Sequence, residues 1–291
     1  ACVTPLALGS AQLAQDSGVS NRTGTPSIKE ASVIIEVARE LGVTKIDTAP
    51  NYSSSENLLG QMGLEGFEVT SKIPSIAGGA GTIEDAVNKS VLDSLDRLKI
   101  DRLEGLLVHN PEEWTVFNSQ SGRALVDRLK AEGVIKKFGV SIYHPEELDR
   151  DYKRGSIDII QAPLNVFDTR LAKSGWMARL ADDGVEIQVR SVFLQGLLLM
   201  ERKDMHSYFD TWGEALDRWE KHKKDTKIDA LAYCLAFVAG FSEVDTVIVG
   251  VQDHQQLKML VKRFSGANDA DHEDLSCQEL GLIDPSRWEL R

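Results

Sequence analysis

The chain predicts an α/β fold, a single (β/α)8 TIM-type barrel. Eight short runs rich in Val, Ile and Leu recur along it, amphipathic helical segments separate them, and no linker-like break interrupts the alternation. The runs lack polar alternation, as parallel strands covered on both faces should. An open doubly wound sheet is the competing architecture, but that fold ordinarily carries a GxGxxG turn after its first strand. Here Gly9 is followed by Ser10-Ala11-Gln12, without the fingerprint.

The strands are expected at Leu6–Ser10, Lys45–Thr48, Phe67–Ser71, Leu103–Val108, Phe138–Ile142, Ile159–Ala162, Glu186–Ser191 and Thr246–Gly250. Helices are expected at about Ser27–Leu41, Thr82–Leu98, Gly122–Glu132, Pro145–Arg154, Leu171–Asp183, Asp229–Ala239 and His254–Phe264. Pro26-Ser27 announces the first helix, and Thr82-Ile83-Glu84-Asp85 reads as a capping box opening the second. Gly42, Gly133 and Gly184 stand where C-terminal caps are needed. Two segments break the rhythm. Residues 76–81 form a glycine-rich loop after the third strand, and Met200 to Thr226 is an insertion carrying Met205, Tyr208, Phe209, Trp212 and Trp219. That insertion either lines a substrate pocket, through Tyr208 and Trp212, or packs as helical turns on the barrel flank. The whole of 1–291 is read as one domain.

Composition narrows the function. Hydrophobic residues make up 42% and charged ones 27%, the balance of a soluble globular protein with a large core. Against 33 Lys and Arg stand 45 Asp and Glu, a net charge of −12 that disfavours nucleic acid and anionic membrane as partners. Cys2, Cys234 and Cys277 are far apart, odd in number and without CxxC or metal spacing, so reduced cytosolic thiols are expected. No secretory signal and no stretch of ~18 apolar residues is visible, so a cytoplasmic location is expected.

Four residues near strand ends carry the chemistry: Asp47 and Tyr52, then Lys72, then His109. A phenol is a weak acid at neutral pH, with a pKa near ~10, and a neighbouring ammonium stabilises its anion. Asp47 would hold Lys72 charged and in place, while His109 would orient a carbonyl oxygen or relay a proton. Each residue alone has a plainer reading: a turn-capping aspartate, a half-buried tyrosine, a solvated lysine, a loop histidine. Their joint occurrence at three successive strand ends points to a proton-donating site for reduction of a carbonyl.

Here the sequence resembles the aldo-keto reductases over nearly its whole length. Asp47-Thr48-Ala49 with Tyr52, Ser55-Glu56 and Gly60 is similar to that family's first signature. Thr70-Ser71-Lys72, Val108-His109-Asn110-Pro111, Gly139-Val140-Ser141 and Gln161-Ala162-Pro163-Leu164-Asn165 follow in the family's order. Ala11-Gln12 with Gly18, Asn21 and Gly24-Thr25-Pro26 resembles a bacterial-type subgroup with a short N-terminus. The resemblance implies Tyr52 as general acid, Asp47 and Lys72 tuning it, and His109 orienting the substrate.

It also implies a nicotinamide dinucleotide on the barrel mouth. Ser141 and Gln161 fall where the family holds the carboxamide, and Ser191 with Leu194 to Gly196 where it holds the pyrophosphate. Three positions depart from the pattern. Ile142 replaces an asparagine, Arg190 replaces the aromatic ring stacker, and Gly250-Val251-Gln252-Asp253-His254-Gln255-Gln256 lacks the cation that grips a 2′-phosphate. Asp253 suggests ribose-hydroxyl recognition, hence NADH. Lys258, Lys262 and Arg263 could instead reach round from the next helix, and family habit favours NADPH. Gly250, Gln252, Asp253 and Gln256 are the residues expected there. The expected activity is NAD(P)-dependent carbonyl reduction or alcohol oxidation on an aldehyde, sugar or similar polar substrate. The departures leave open a cofactor-binding barrel with a regulatory role. A barrel isomerase or hydrolase would need a phosphate loop or metal ligands, and neither is evident.

Overall fold

The computed structural model describes residues 6–15, 18–21, 24–76, 81–227, 229–266 and 274–290. Eight parallel strands close in chain order: β1 (Leu6–Gly9), β2 (Lys45–Asp47), β3 (Glu68–Ile73), β4 (Leu103–Val108), β5 (Ile135–Ser141), β6 (Ile159–Pro163), β7 (Glu186–Arg190) and β8 (Thr246–Gly250). β8 pairs back onto β1, with Leu6 opposite Val247 and Gly9 opposite Gly250. Closure removes both sheet edges, and the strands are buried almost throughout. The fold is thus the barrel the pattern predicts, and each of the eight expected runs contributes a strand, though some ends are shifted.

The helices stop and start on local chemistry. Ser27 accepts from the Glu30 N–H at 3.1 Å to open helix Ile28–Glu40. Thr82 and Asp85 form the reciprocal capping box of helix Ile83–Leu98. Gly42, Gly133 and Gly184 all have φ near +75°, at +74°, +73° and +76°, the left-handed turn a C-terminal cap requires.

Several boundaries differ from expectation. Lys72 lies inside β3 rather than beyond it, since pairing with β4 continues through Ile73–Val108. β5 begins at Ile135, three residues earlier than the apolar run suggests, because Lys136 and Lys137 sit on the ladder with their ammonium groups on Glu104. The stretch from 171 to 183 divides into Arg170–Lys173 and Trp176–Asp182, with Gly175 in the left-handed region between them. Helix Ser55–Met62 has no counterpart among the expected elements. Its Gly60 lets it lie against helix Ile83–Leu98, where a Cβ would meet the Arg97 carbonyl oxygen at 2.1 Å. Residues 77–80 of the glycine-rich loop, and Cys2, lie outside the described residues.

The insertion packs onto the barrel flank. Helix Gly213–Thr226 buries Trp219, whose indole donates to the Leu198 carbonyl at 3.1 Å and whose ring meets Tyr233 of helix Ala230–Ala239. No helix among the described residues is long and apolar enough to cross a membrane, and none of their side chains form a metal-binding cluster.

Candidate active site

The carboxyl ends of the strands surround a cleft of about 660 Å³, within the range of small-molecule sites. Asp47 ends β2, Lys72 is the penultimate residue of β3, His109 follows β4, Ser141 ends β5 and Arg190 ends β7. Strand order alone therefore brings residues far apart in sequence to one mouth.

Lys72 is only 1% exposed, so its charge needs partners. It has three: both Asp47 oxygens at 2.8 and 2.9 Å and the Thr48 carbonyl at 2.9 Å. Burial pulls the ammonium's pKa down, but attraction to Asp47 and Tyr52 outweighs it and the net shift is upward. Its Nζ lies 4.9 Å from the centre of the Tyr52 ring. The Tyr52 and His109 rings meet edge to face at 5.9 Å. Burial, then repulsion by Lys72, lowers the His109 pKa to about 4 against the opposing pull of Asp47. The imidazole is therefore neutral at physiological pH. Its Nδ1 is buried without a partner among the described residues.

Asp47, Tyr52 and His109 line the cleft, with Lys72 directly beneath. Ser141, Arg190, Ser191, Gly196, Gly250, Gln252 and Gln256 line it as well. Gln161 is buried behind the wall, donating to Asp47 Oδ1 at 2.7 Å, with its own Oε1 unpartnered among the described residues. Leu194 points into the core instead, fully buried. Asp253 turns inward on its own helix, capping His254–Ser265 through the Gln256 N–H at 2.8 Å. Tyr208 and Trp212 do not line the cleft. Tyr208 donates to the Gly281 carbonyl at 3.0 Å, and Trp212 lies against Gly281, so both hold the C-terminal segment that reaches the cleft at Ile283 to Ser286. Lys258, Lys262 and Arg263 are absent from the lining, and Arg263 pairs with Asp229 at 3.1 Å.

Tyr143, Arg170 and the C-terminal segment join the lining without having been singled out in the sequence. Tyr143 stands two residues beyond Ser141, a signal that was legible; Arg170 and Asp284 had none. The profile of the Aldo/keto reductase family matches residues 5–274. The chain belongs to this family.

A D-arabinose 1-dehydrogenase from Saccharomyces cerevisiae is 31% identical over 288 residues, covering 91% of this chain and 84% of the relative. A D-threo-aldose 1-dehydrogenase from a Pseudomonas species is 24% identical over 238 residues, 70% of this chain and 72% of the relative. Among solved structures, an aldo-keto reductase from Bacillus halodurans in its holo form superposes with a TM-score of 0.72 at 21% identity, covering 98% and 96% of the two chains. A glycerol dehydrogenase from Gluconobacter oxydans gives 0.68 at 21% identity over 89% and 86%. Those two likenesses speak to the fold. The chain is an oxidoreductase of the aldo-keto reductase type, a family that uses NADP(H) or NAD(H).

The cleft of this aldo-keto reductase fits such a group. Ser191, Leu194 and Gln195 have φ of +58°, +48° and +56°, a run of left-handed residues of the kind that costs stability and clusters at ligand clamps. Beside them Gly196 admits the Ser20 side chain, whose Oγ lies 1.9 Å from where a Cβ would stand, and the Val19 N–H donates to the Gln195 carbonyl at 2.9 Å. This tight turn forms part of the wall of a cleft whose volume of about 660 Å³ is in the range of small-molecule sites.

Proposed function

We propose that this aldo-keto reductase interconverts an aldose-like polar carbonyl and its alcohol with Tyr52 as general acid and base. One observation carries the reading: a fully paired, buried ammonium, Lys72, placed against the phenol of Tyr52 at the mouth of the cleft. Lys72 stabilises negative charge on the phenol as the proton leaves, and Asp47 keeps the ammonium charged and aimed. His109, being neutral, offers a hydrogen bond to the carbonyl oxygen without adding a competing charge. A nicotinamide dinucleotide, when bound in the cleft, would supply or accept the hydride. Ser141 would hold its carboxamide, with Gln161 bracing Asp47 from behind the wall; Ser191, Gln195 and Gly196 would hold its pyrophosphate, and Gly250, Gln252 and Gln256 its adenosine end. Sugar oxidation at C1 is what the names of the yeast and Pseudomonas relatives describe.

Family habit favours NADPH, and this chain's own residues favour NADH. Asp253 is spent on a cap, His254 is bound to Glu30 at 2.7 Å, and no lysine or arginine of the described helix His254–Ser265 faces the cleft. Turnover of an aldose and aldehyde panel with each dinucleotide tests the reading. Tyr52→Phe is expected to lose about 10²–10⁴-fold in kcat, the usual share of general acid–base catalysis. Undiminished turnover by that variant, with cofactor still bound, would remove Tyr52 from the role. Dinucleotide binding without turnover of any carbonyl or alcohol would favour a regulatory barrel instead.

A further inference from the structure

Among the described residues that line the cleft, Arg190 is a guanidinium with no carboxylate on it. Its Nη2 donates to the Ile142 carbonyl at 2.9 Å, and its planar head lies 4.6 Å from the centre of the Tyr143 ring. The other charges at this end are matched. Lys72 sits on Asp47 at 2.8 Å, Arg170 on Asp168 at 2.7 Å, and Asp284 accepts from Arg287 at 3.3 Å. His109 is neutral, and Arg190 is among the charges that keep it so. The reacting end of the cleft therefore holds one uncompensated positive charge, fixed by a hydrogen bond and a stacked ring.

A nicotinamide ring is cationic when oxidised and neutral when reduced. We propose that Arg190 sets the direction of the reaction: its fixed charge favours the reduced cofactor over the oxidised one, so that the on-enzyme equilibrium leans toward alcohol oxidation. The inference rests on the reading that a nicotinamide dinucleotide binds beside Tyr52. In this direction the carbinol C–H bond breaks, its hydrogen leaving with both electrons to the oxidised ring. The hydroxyl proton passes to Tyr52 and on to solvent, leaving a carbonyl and the reduced cofactor. Like unit charges several ångströms apart in such a site change an equilibrium by about tenfold or more.

The test is binding, not turnover. The oxidised and reduced forms of NAD and of NADP are titrated separately into the wild-type protein, Arg190→Gln and Arg190→Lys, with dissociation constants read by calorimetry. The wild type is expected to bind the reduced form more tightly. Arg190→Gln lowers the ratio of oxidised to reduced Kd by about tenfold, while Arg190→Lys, which keeps the charge, holds it within about twofold. A ratio unmoved in Arg190→Gln, or moved equally by both variants, overturns the inference and leaves the cofactor reading standing. Failure of the wild type to bind any of the four overturns that reading, and this inference with it.

Discussion

His109 has its proton affinity set by what surrounds it, and that makes it visible to pH. Its ordinary value of 6.5 falls to about 4 in the folded protein, chiefly through burial and then through Lys72. Between those values the unfolded chain binds a proton there that the folded chain does not. Stability should therefore decline as pH falls from about 6.5 to about 4, and should level off with respect to this residue below that. Urea unfolding of wild type and His109→Gln across that window checks it, the variant showing the shallower slope. A slope identical in both would mean that the imidazole is protonated in the folded state. Lys72 illustrates the same rule from the other side. Burial works against its charge, and Asp47 is what keeps it positive.

At the scale of elements, β5 and β6 come together at Gly139, where a Cβ would lie 1.8 Å from the Ile159 carbonyl oxygen. Backbone cannot swing aside as a flexible side chain can. Gly139→Ala should cost at least the ~1–3 kcal/mol typical of overpacking, measured by urea unfolding, and should disturb Ser141 two residues on. Strands and most helices were legible because each depends on local information: a run of branched apolar residues, Ser27 before a helix, Gly42 after one. Helix Ser55–Met62 was not legible, because it is short and depends on Gly60 seating it against Arg97. Apolar runs do not mark the ends of β3 and β5, because cross-strand pairing decides where a strand starts and stops.

At the scale of the whole molecule, the insertion and the C-terminal segment act together. Tyr208 and Trp212 hold the segment at Gly281, while Phe209 meets Trp288 edge to face at 4.9 Å. The segment in turn presents Asp284 and Ser286 to the cleft, and Asp284 lies 3.5 Å from His144 on the β5 side. Trp212→Ala should loosen this strap without touching the proton site. Steady-state kinetics are expected to show KM for the carbonyl substrate raised by about tenfold, ~1.4 kcal/mol of binding, with kcat little changed. An equal fall in kcat would mean that the strap also positions the reacting groups.

The sequence by itself determined the barrel and the four-residue constellation, because both follow from order along the chain. A strand period repeated eight times closes one way, and residues at strand ends then share one mouth. Tertiary structure alone decided which charges are matched and which are not. Asp253 could have faced a phosphate and instead caps its helix; Arg263 could have reached the cleft and instead pairs with Asp229; Tyr208 and Trp212 could have lined the pocket and instead brace its far wall. Pairing depends on distances between side chains from separate elements, and no spacing along the chain encodes them. Arg190 was visible as a departure from the family pattern, but only the folded cleft shows that its charge is left uncompensated.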